Sequence, residues 1–304
     1  MKSFRASLLA VAAIAALVTP VASQAHRAWM LPSATVLSGD DVWVTVDAAV
    51  SNDLFYFEHQ PLRGDPVAIA PDGTPVEIEN KAQGRYRSTF DVHLTKKGTY
   101  KIAIVSASVM GSYKLNGKEE RLPRGTNAAN LAAAIPAGAT DVQTAVSSSR
   151  NEIFVTSGEP TTTALQPTGK GLELVPITHP NDLVAGEVAT FQFVLDGKPA
   201  AGLGVTIIPG GIRYRDALKQ IDLKTDAQGK VAITWPEAGM YWLSVSTGGG
   251  RGEGMGGGPG GPGGPGGPGA GAPAGTGAPP PPPRPAGPPV ARAGYVTTLE
   301  VLAP

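Results

Sequence analysis

The chain is written in short runs of alternating apolar residues, each closed by turn chemistry, and that pattern leaves room for little besides β-sheet. Residues 41–50 (DVWVTVDAAV) put Val42, Val44 and Val46 on one face and Trp43 and Thr45 on the other. Residues 54–59 (LFYFEH) are expected to form a second strand, with Phe55, Phe57 and His59 pointing one way. Residues 66–79 read as a hairpin about Pro71-Asp72-Gly73-Thr74, and alternating runs follow at 85–94 and 99–109. A second series occupies 172–177, 187–195, 203–209, 217–224, 230–235 and 241–247, and a last strand is expected at 295–302. Asp196-Gly197-Lys198-Pro199 and Thr225-Asp226-Ala227-Gln228-Gly229-Lys230 supply tight turns between them. No long helical period appears, and 127–135 (NAANLAAAI) is the one stretch suited to a short helix. Strands of this length and spacing predict an all-β fold of two β-sandwich domains, Ig-like or transthyretin-like.

Residues 1–25 have the pattern of a secretory signal peptide. Lys2 and Arg5 precede an apolar run at 8–18, Pro20 breaks it, and Ser23-Gln24-Ala25 offers the small residues a signal peptidase needs. The run is too short to span a bilayer, and no later stretch is long enough, so the mature chain is expected to lack a transmembrane span and to reside in the periplasm. The remaining organisation is expected to be an N-terminal sandwich at 26–135, a connector rich in Thr, Ser, Pro and Gly at 136–171, and a C-terminal Ig-like sandwich at 172–304. A Gly/Pro-rich insertion at 248–294, with five consecutive prolines at 279–283, is expected to be a disordered loop. Its GGP repeat is too brief for a collagen triple helix.

Composition excludes several functions. Lys and Arg number 25 and Asp and Glu 25, so the basic excess of a nucleic-acid binder is missing. With no Cys there are no disulfides, thiolate zinc sites, iron–sulfur clusters or thiol nucleophiles. The sequence carries no G-x-S-x-G elbow, no phosphate loop, no dinucleotide fingerprint on a strand–helix turn and no H-E-x-x-H. A non-enzymatic protein is the expectation.

One residue stands apart. Cleavage after Ala25 makes His26 the first residue, and such a histidine offers its α-amine and ring Nδ1 to one ion as a chelate. One further imidazole would complete a T-shaped three-nitrogen site, a donor set suited to Cu(II) and Ni(II). The chain has four His in all. The candidate partners for His26 are His59, then His93, then His179, which precedes Pro180 in a turn. A structural role for each ring is the alternative. Met30 and Trp29 fit core packing better than ligation.

Ala25-His26-Arg27-Ala28-Trp29-Met30-Leu31-Pro32 resembles the A-H-x-x-W-x-x-P opening of secreted bacterial proteins labelled as nickel or cobalt uptake components, the NikM-like family. Gly171-Leu172-Glu173-Leu174-Val175-Pro176 is similar to the G-x-E-[IL]-V-P start of that family's second domain. Residues 196–199, 225–230 and 239–242 resemble its D-G-K-P, T-D-x-x-G and G-x-[YW]-W elements in order. The resemblance implies a periplasmic protein that binds a divalent transition metal (Ni, Co or Cu) and serves a membrane metal-uptake system, with His26 as the one ligand carried over by position. The histidine that often follows the second-domain tryptophan of that family is absent after Trp242. Two other readings use the same residues. One is a structural or adhesion module without metal, and the other is a copper monooxygenase built on His26 and a second His. Intact-mass measurement of the secreted protein is expected to place its first residue at His26, and any other start removes the amine from the ligand set.

Overall fold

The computed structural model describes residues 26–248 and 291–304. The signal peptide expected at 1–25 and most of the loop expected at 248–294 lie outside the described residues. The rest is all β apart from the four-residue helix Leu131–Ala134 and two single 3-10 turns.

Three sheets build two sandwiches. The first sheet runs, in spatial order, Arg27–Pro32, Val42–Ser51, Ser88–Leu94 and Ile78–Gln83, with Gln60–Pro61 also paired to Val42–Ser51. The last contains Leu172–Pro176, Val188–Leu195, Lys198–Pro199 and Lys230–Thr234. Between them lies a ten-stranded sheet that serves both sandwiches. Its path crosses Ile221–Lys224, Gly204–Pro209, Gly239–Ser246, Arg292–Val301, Thr140–Ser157, Gly98–Leu115, Pro66–Ile69 and Pro75–Val76.

The shared sheet corrects the expected connector at 136–171. Thr140–Ser157 is an 18-residue strand in the middle of the molecule. It pairs antiparallel with Gly98–Leu115 on one side and parallel with Arg292–Val301 on the other, Ser147 opposite Arg292 through Glu152 opposite Thr297. The physical reason is the apolar run Ile153-Phe154-Val155. Ile153 and Val155 belong to the core of the first sandwich, whereas Phe154 belongs to the core of the second. A strand buried on both faces reads as a continuous apolar run, not as alternation. The two sandwiches are therefore joined through backbone hydrogen bonds.

The strand expected at 54–59 is also corrected. Phe55 has φ 66°, and Glu58 Oε1 accepts the backbone N–H groups of Asn52 at 2.8 Å and Asp53 at 3.0 Å, so the segment is a turn. Its alternating Phe55 and Phe57 converge on Trp29. Phe55 meets that ring edge-on at 5.5 Å and Phe57 meets it tilted at 5.5 Å. Trp29 and Met30 are fully buried, as core packing requires. The aromatic cluster also takes in Ile208 and Trp242 from the second sandwich, and the Trp242 indole N–H donates to the Ala28 carbonyl at 2.9 Å. Gly210 matters here because a Cβ would stand 3.0 Å from the Phe55 ring and 3.2 Å from the Met240 carbonyl oxygen.

The joint has a polar half as well. Arg150 pairs with Glu152 at 2.8 Å and with Glu173 at 3.4 Å, all three nearly inaccessible. Glu173 also accepts the N–H groups of Thr168 at 2.8 Å and Gly169 at 2.7 Å. Burial pushes its carboxyl up, but those bonds and Arg150 outweigh burial and the net shift is downward. The Glu of the G-x-E-L-V-P segment is thus a structural lock. The T-D-x-x-G segment is likewise turn chemistry, with Asp226 Oδ1 accepting the N–H groups of Gln228 at 2.9 Å and Lys230 at 2.8 Å.

Trp242→Phe removes a buried donor and orphans the Ala28 carbonyl, whereas Trp235→Phe removes an indole N–H that has no partner among the described residues. Both substitutions leave a similar void. Trp242→Phe is expected to destabilise the protein by about 1–3 kcal/mol more than Trp235→Phe in urea unfolding.

Candidate functional site

The strand Val42–Ser51 ends between two flanking segments, and a histidine stands at the start of each. Arg27 is in register with Ser51 on one side, and Gln60 is in register with Val50 on the other. His26 and His59 immediately precede those residues, so both side chains arise beside the end of one central strand. Their rings stack face to face, with centroids 3.7 Å apart and planes within 5°.

The surroundings fix both residues. On the His26 side, Arg27 is buried against the aromatic cluster and donates from Nη1 to the Asn52 carbonyl at 2.8 Å. The Trp29 indole donates to Ser51 Oγ at 2.8 Å, and Ser51 in turn donates to the Asp53 carbonyl at 2.6 Å. On the His59 side, Glu58 anchors the turn through its backbone contacts. Arg213 of the second sandwich lies over the Tyr56 ring at 4.1 Å and reaches Asp53 at 3.5 Å. Both sandwiches therefore hold the loop that carries His59.

Electrostatics favour a neutral His26. Burial lowers its pKa, the neighbouring His59 lowers it further, and Glu58 opposes both. A neutral imidazole keeps a free lone pair, the form that ligates metals. His59 is exposed, so its ring has room to turn.

The other two histidines are elsewhere. His93 is in register with Trp43, whose ring it stacks on at 4.1 Å, and its Nε2 contacts the Asp41 carboxylate. Trp43 lies eight positions from Ser51 along one strand, roughly 26 Å at the usual rise. His93 therefore cannot join His26, which corrects the expectation that it belongs to the same ligand set. The two were hard to separate by sequence because alternation assigns a face and not a position along the strand. His179 sits in the joint. Its Nδ1 accepts the Asn181 N–H at 3.2 Å, which leaves Nε2 protonated and donating to the Thr161 carbonyl at 3.2 Å, with Thr99 Oγ1 at 3.0 Å. This is a structural imidazole.

Among the described residues, no three side chains of His, Asp or Glu converge as a metal cage. The donors the structure brings together are the two imidazoles. Sequence reasoning missed the neighbours that hold them, Arg213 and Tyr56, because those contacts cross between sandwiches.

The fold and the site define an all-β protein of two sandwiches sharing a sheet, with a histidine pair at the end of the first. The chain belongs to the DUF4198 family, described as a domain of unknown function, whose family model matches residues 23–249. No curated protein matches it. Solved structures to which parts of the chain are similar include the D0-D1 domain of Intimin, at 16% identity over 71% of this chain and 88% of that one, with a TM-score of 0.20. The ligand-binding domain of human OSCAR is 13% identical over 75% and 93%, with a TM-score of 0.18. A DUF4785 family protein from Legionella pneumophila is 8% identical over 71% and 51%, with a TM-score of 0.21. TM-scores this low carry no argument about this chain.

Burial holds His179 below its ordinary pKa of 6.5. Its contribution to stability is present above the unfolded value and is lost as pH falls through the lower folded value. The melting temperature of the wild type is expected to fall more steeply between pH 7 and 5 than that of His179→Gln, measured by scanning fluorimetry.

Proposed function

We propose that this protein binds a divalent first-row transition metal in the bacterial envelope, as an accessory of a membrane metal-uptake system. The observation that carries the reading is the stacking of His26 and His59, 33 positions apart in the sequence, at the end of one strand. The residues suit the ion in donor type. His26 would supply its ring nitrogen and, once it is the first residue, its α-amine, and His59 would supply the third nitrogen. Three neutral nitrogens rank Cu(II) above Ni(II) and Co(II) on intrinsic affinity. The lowered pKa of His26 limits proton competition near neutral pH. The resemblance to nickel and cobalt uptake components supports the envelope role. Among the described residues no helix is long and apolar enough to cross a membrane.

A second reading, a copper monooxygenase, is favoured by one observation. Tyr214 is 81% exposed and packs edge-on against Tyr56, three residues before His59, which gives the site an aromatic neighbour of the kind that seats sugar rings. Oxidised products formed from polysaccharide with copper and reductant would establish it, and their absence leaves the binding role.

Calorimetric titration of the metal-free, His26-starting protein with Cu(II), Ni(II) and Co(II) tests the proposal. One site is expected, weakened at least tenfold by His59→Ala and by one extra residue placed before His26. His93→Ala is expected to leave affinity unchanged. Absence of binding, or affinity indifferent to His59 and to the blocked amine, overturns the reading.

A further inference from the structure

The apolar faces of the two longest strands turn polar at one level. Along Thr140–Ser157, the residues facing the first core are Val155 and Ile153, and the same face continues as Asn151, Ser149 and Ser147. On Gly98–Leu115 the face runs Tyr100, Ile102 and Ile104, and continues as Ser106 and Ser108. The register sets Asn151 opposite Ile104 and Ser149 opposite Ser106, and the two serine hydroxyls lie 2.7 Å apart. Across the parallel pairing, Ser149 meets Gly294, and Ser246 lies beyond it on the next strand. Ala28 and Arg63 come over this surface from the first sheet and its following loop.

Asn151, Ser149, Ser106, Ser246, Ala28 and Arg63 line a cavity of about 40 Å³ that is open to solvent. Two of its features call for a ligand. Asn151 is only 5% exposed, yet neither its Nδ2 nor its Oδ1 has a hydrogen-bond partner among the described residues. A native carboxamide so deeply buried is normally satisfied at both ends. In addition, among the described residues no acidic side chain lines the cavity, and Arg63 stands exposed at it with no ion pair. Arg150, the other arginine of the lining, is already held by Glu152 and Glu173.

We propose that this cavity is a binding site for a small hydroxycarboxylate. The carboxylate binds the Arg63 guanidinium, which offers paired donors to an oxyanion. A hydroxyl on the same molecule is both donor and acceptor, so it satisfies Asn151 Oδ1 and Nδ2 where a simple carboxylate serves only the donor. The Ser106 and Ser149 hydroxyls take up further oxygens. The site neighbours the histidine pair, since Ala28 follows His26 by two residues and Arg63 follows His59 by four, but the proposal does not depend on metal binding.

The test is titration of the full secreted protein, freed of metal by chelation and dialysis, with L-malate, D-gluconate, acetate and D-glucose. Calorimetry and melting temperature are the readouts, because a ligand of the folded state raises stability by RT ln(1 + [L]/Kd). Saturable binding of malate or gluconate is expected, at least tenfold tighter than acetate or glucose. Arg63→Gln, at an exposed position, is expected to weaken it at least tenfold. Asn151→Leu is expected to abolish binding while leaving the free protein at least as stable as the wild type, which a purely structural Asn would not do. Should Asn151→Leu fail to fold, Arg63→Gln decides. No binding of either acid at millimolar concentration overturns the proposal. Glucose binding as tightly as gluconate also overturns it, as does affinity indifferent to Arg63.

Discussion

Everything in this molecule is referred to one strand, Thr140–Ser157, whose two faces are buried in two different cores. A strand in that position has little freedom. Sliding it by one residue along Arg292–Val301 would carry Phe154 from the second core into the first and expel Ile153 and Val155 from theirs. The register is therefore fixed by both sandwiches at once, and the angle between them is fixed with it. The buried Arg150, Glu152 and Glu173 group adds little net stability by itself, since desolvation offsets most of the Coulombic gain. It does penalise misassembly, because separating the sandwiches would leave buried charge without its partner.

The histidine pair inherits that rigidity. His26 precedes a strand whose Trp29 enters the aromatic cluster at the joint, and His59 ends a turn clamped by Arg213 from the opposite sandwich. Among the described residues neither ring has a hydrogen-bond partner, so their approach is set by backbone placement. A site built this way keeps its donors close while leaving them free to reorient. Under the proposed metal-binding role, that combination would suit an ion that is taken up and passed on, unlike a closed structural cage with four fixed ligands.

Strand positions were legible wherever one face met solvent, because alternation reports that arrangement directly, as at Val42–Ser51 and Ser88–Leu94. It fails where both faces are buried. Thr140–Ser157 begins with a polar, Ser- and Thr-rich half and ends in Ile153-Phe154-Val155, so its composition suggests a connector while its last residues carry the signal of a central strand. The 54–59 segment fails in the opposite sense. Its alternation is real, but Phe55 and Phe57 are gathered by one large indole without forming a strand. His26 could be singled out from its place after the cleavage pattern, and His59 from its aromatic neighbourhood. What separates His59 from His93 is position along Val42–Ser51, which depends on pairings between segments far apart in the sequence.

The change from Ile153 to Asn151 along a single strand face bears on why this end of the first sandwich is open. Filling the level with Leu or Val would extend the core by a layer, and each such side chain contributes about 1.5–3 kcal/mol on burial. An unpaired buried amide instead costs about 1–3 kcal/mol. Sequence drift toward stability would remove such a feature readily, since a single apolar substitution at Asn151 closes the gap. Its presence beside a guanidinium with no ion pair, in a lining that has no carboxylate among the described residues, is the pattern expected when the missing hydrogen bonds are made by a molecule from outside the chain. The cavity and the histidine pair share their supports, since Ala28 of the lining lies two residues after His26 and Arg63 lies four after His59, so the backbone that places the two rings also places two walls of the cavity.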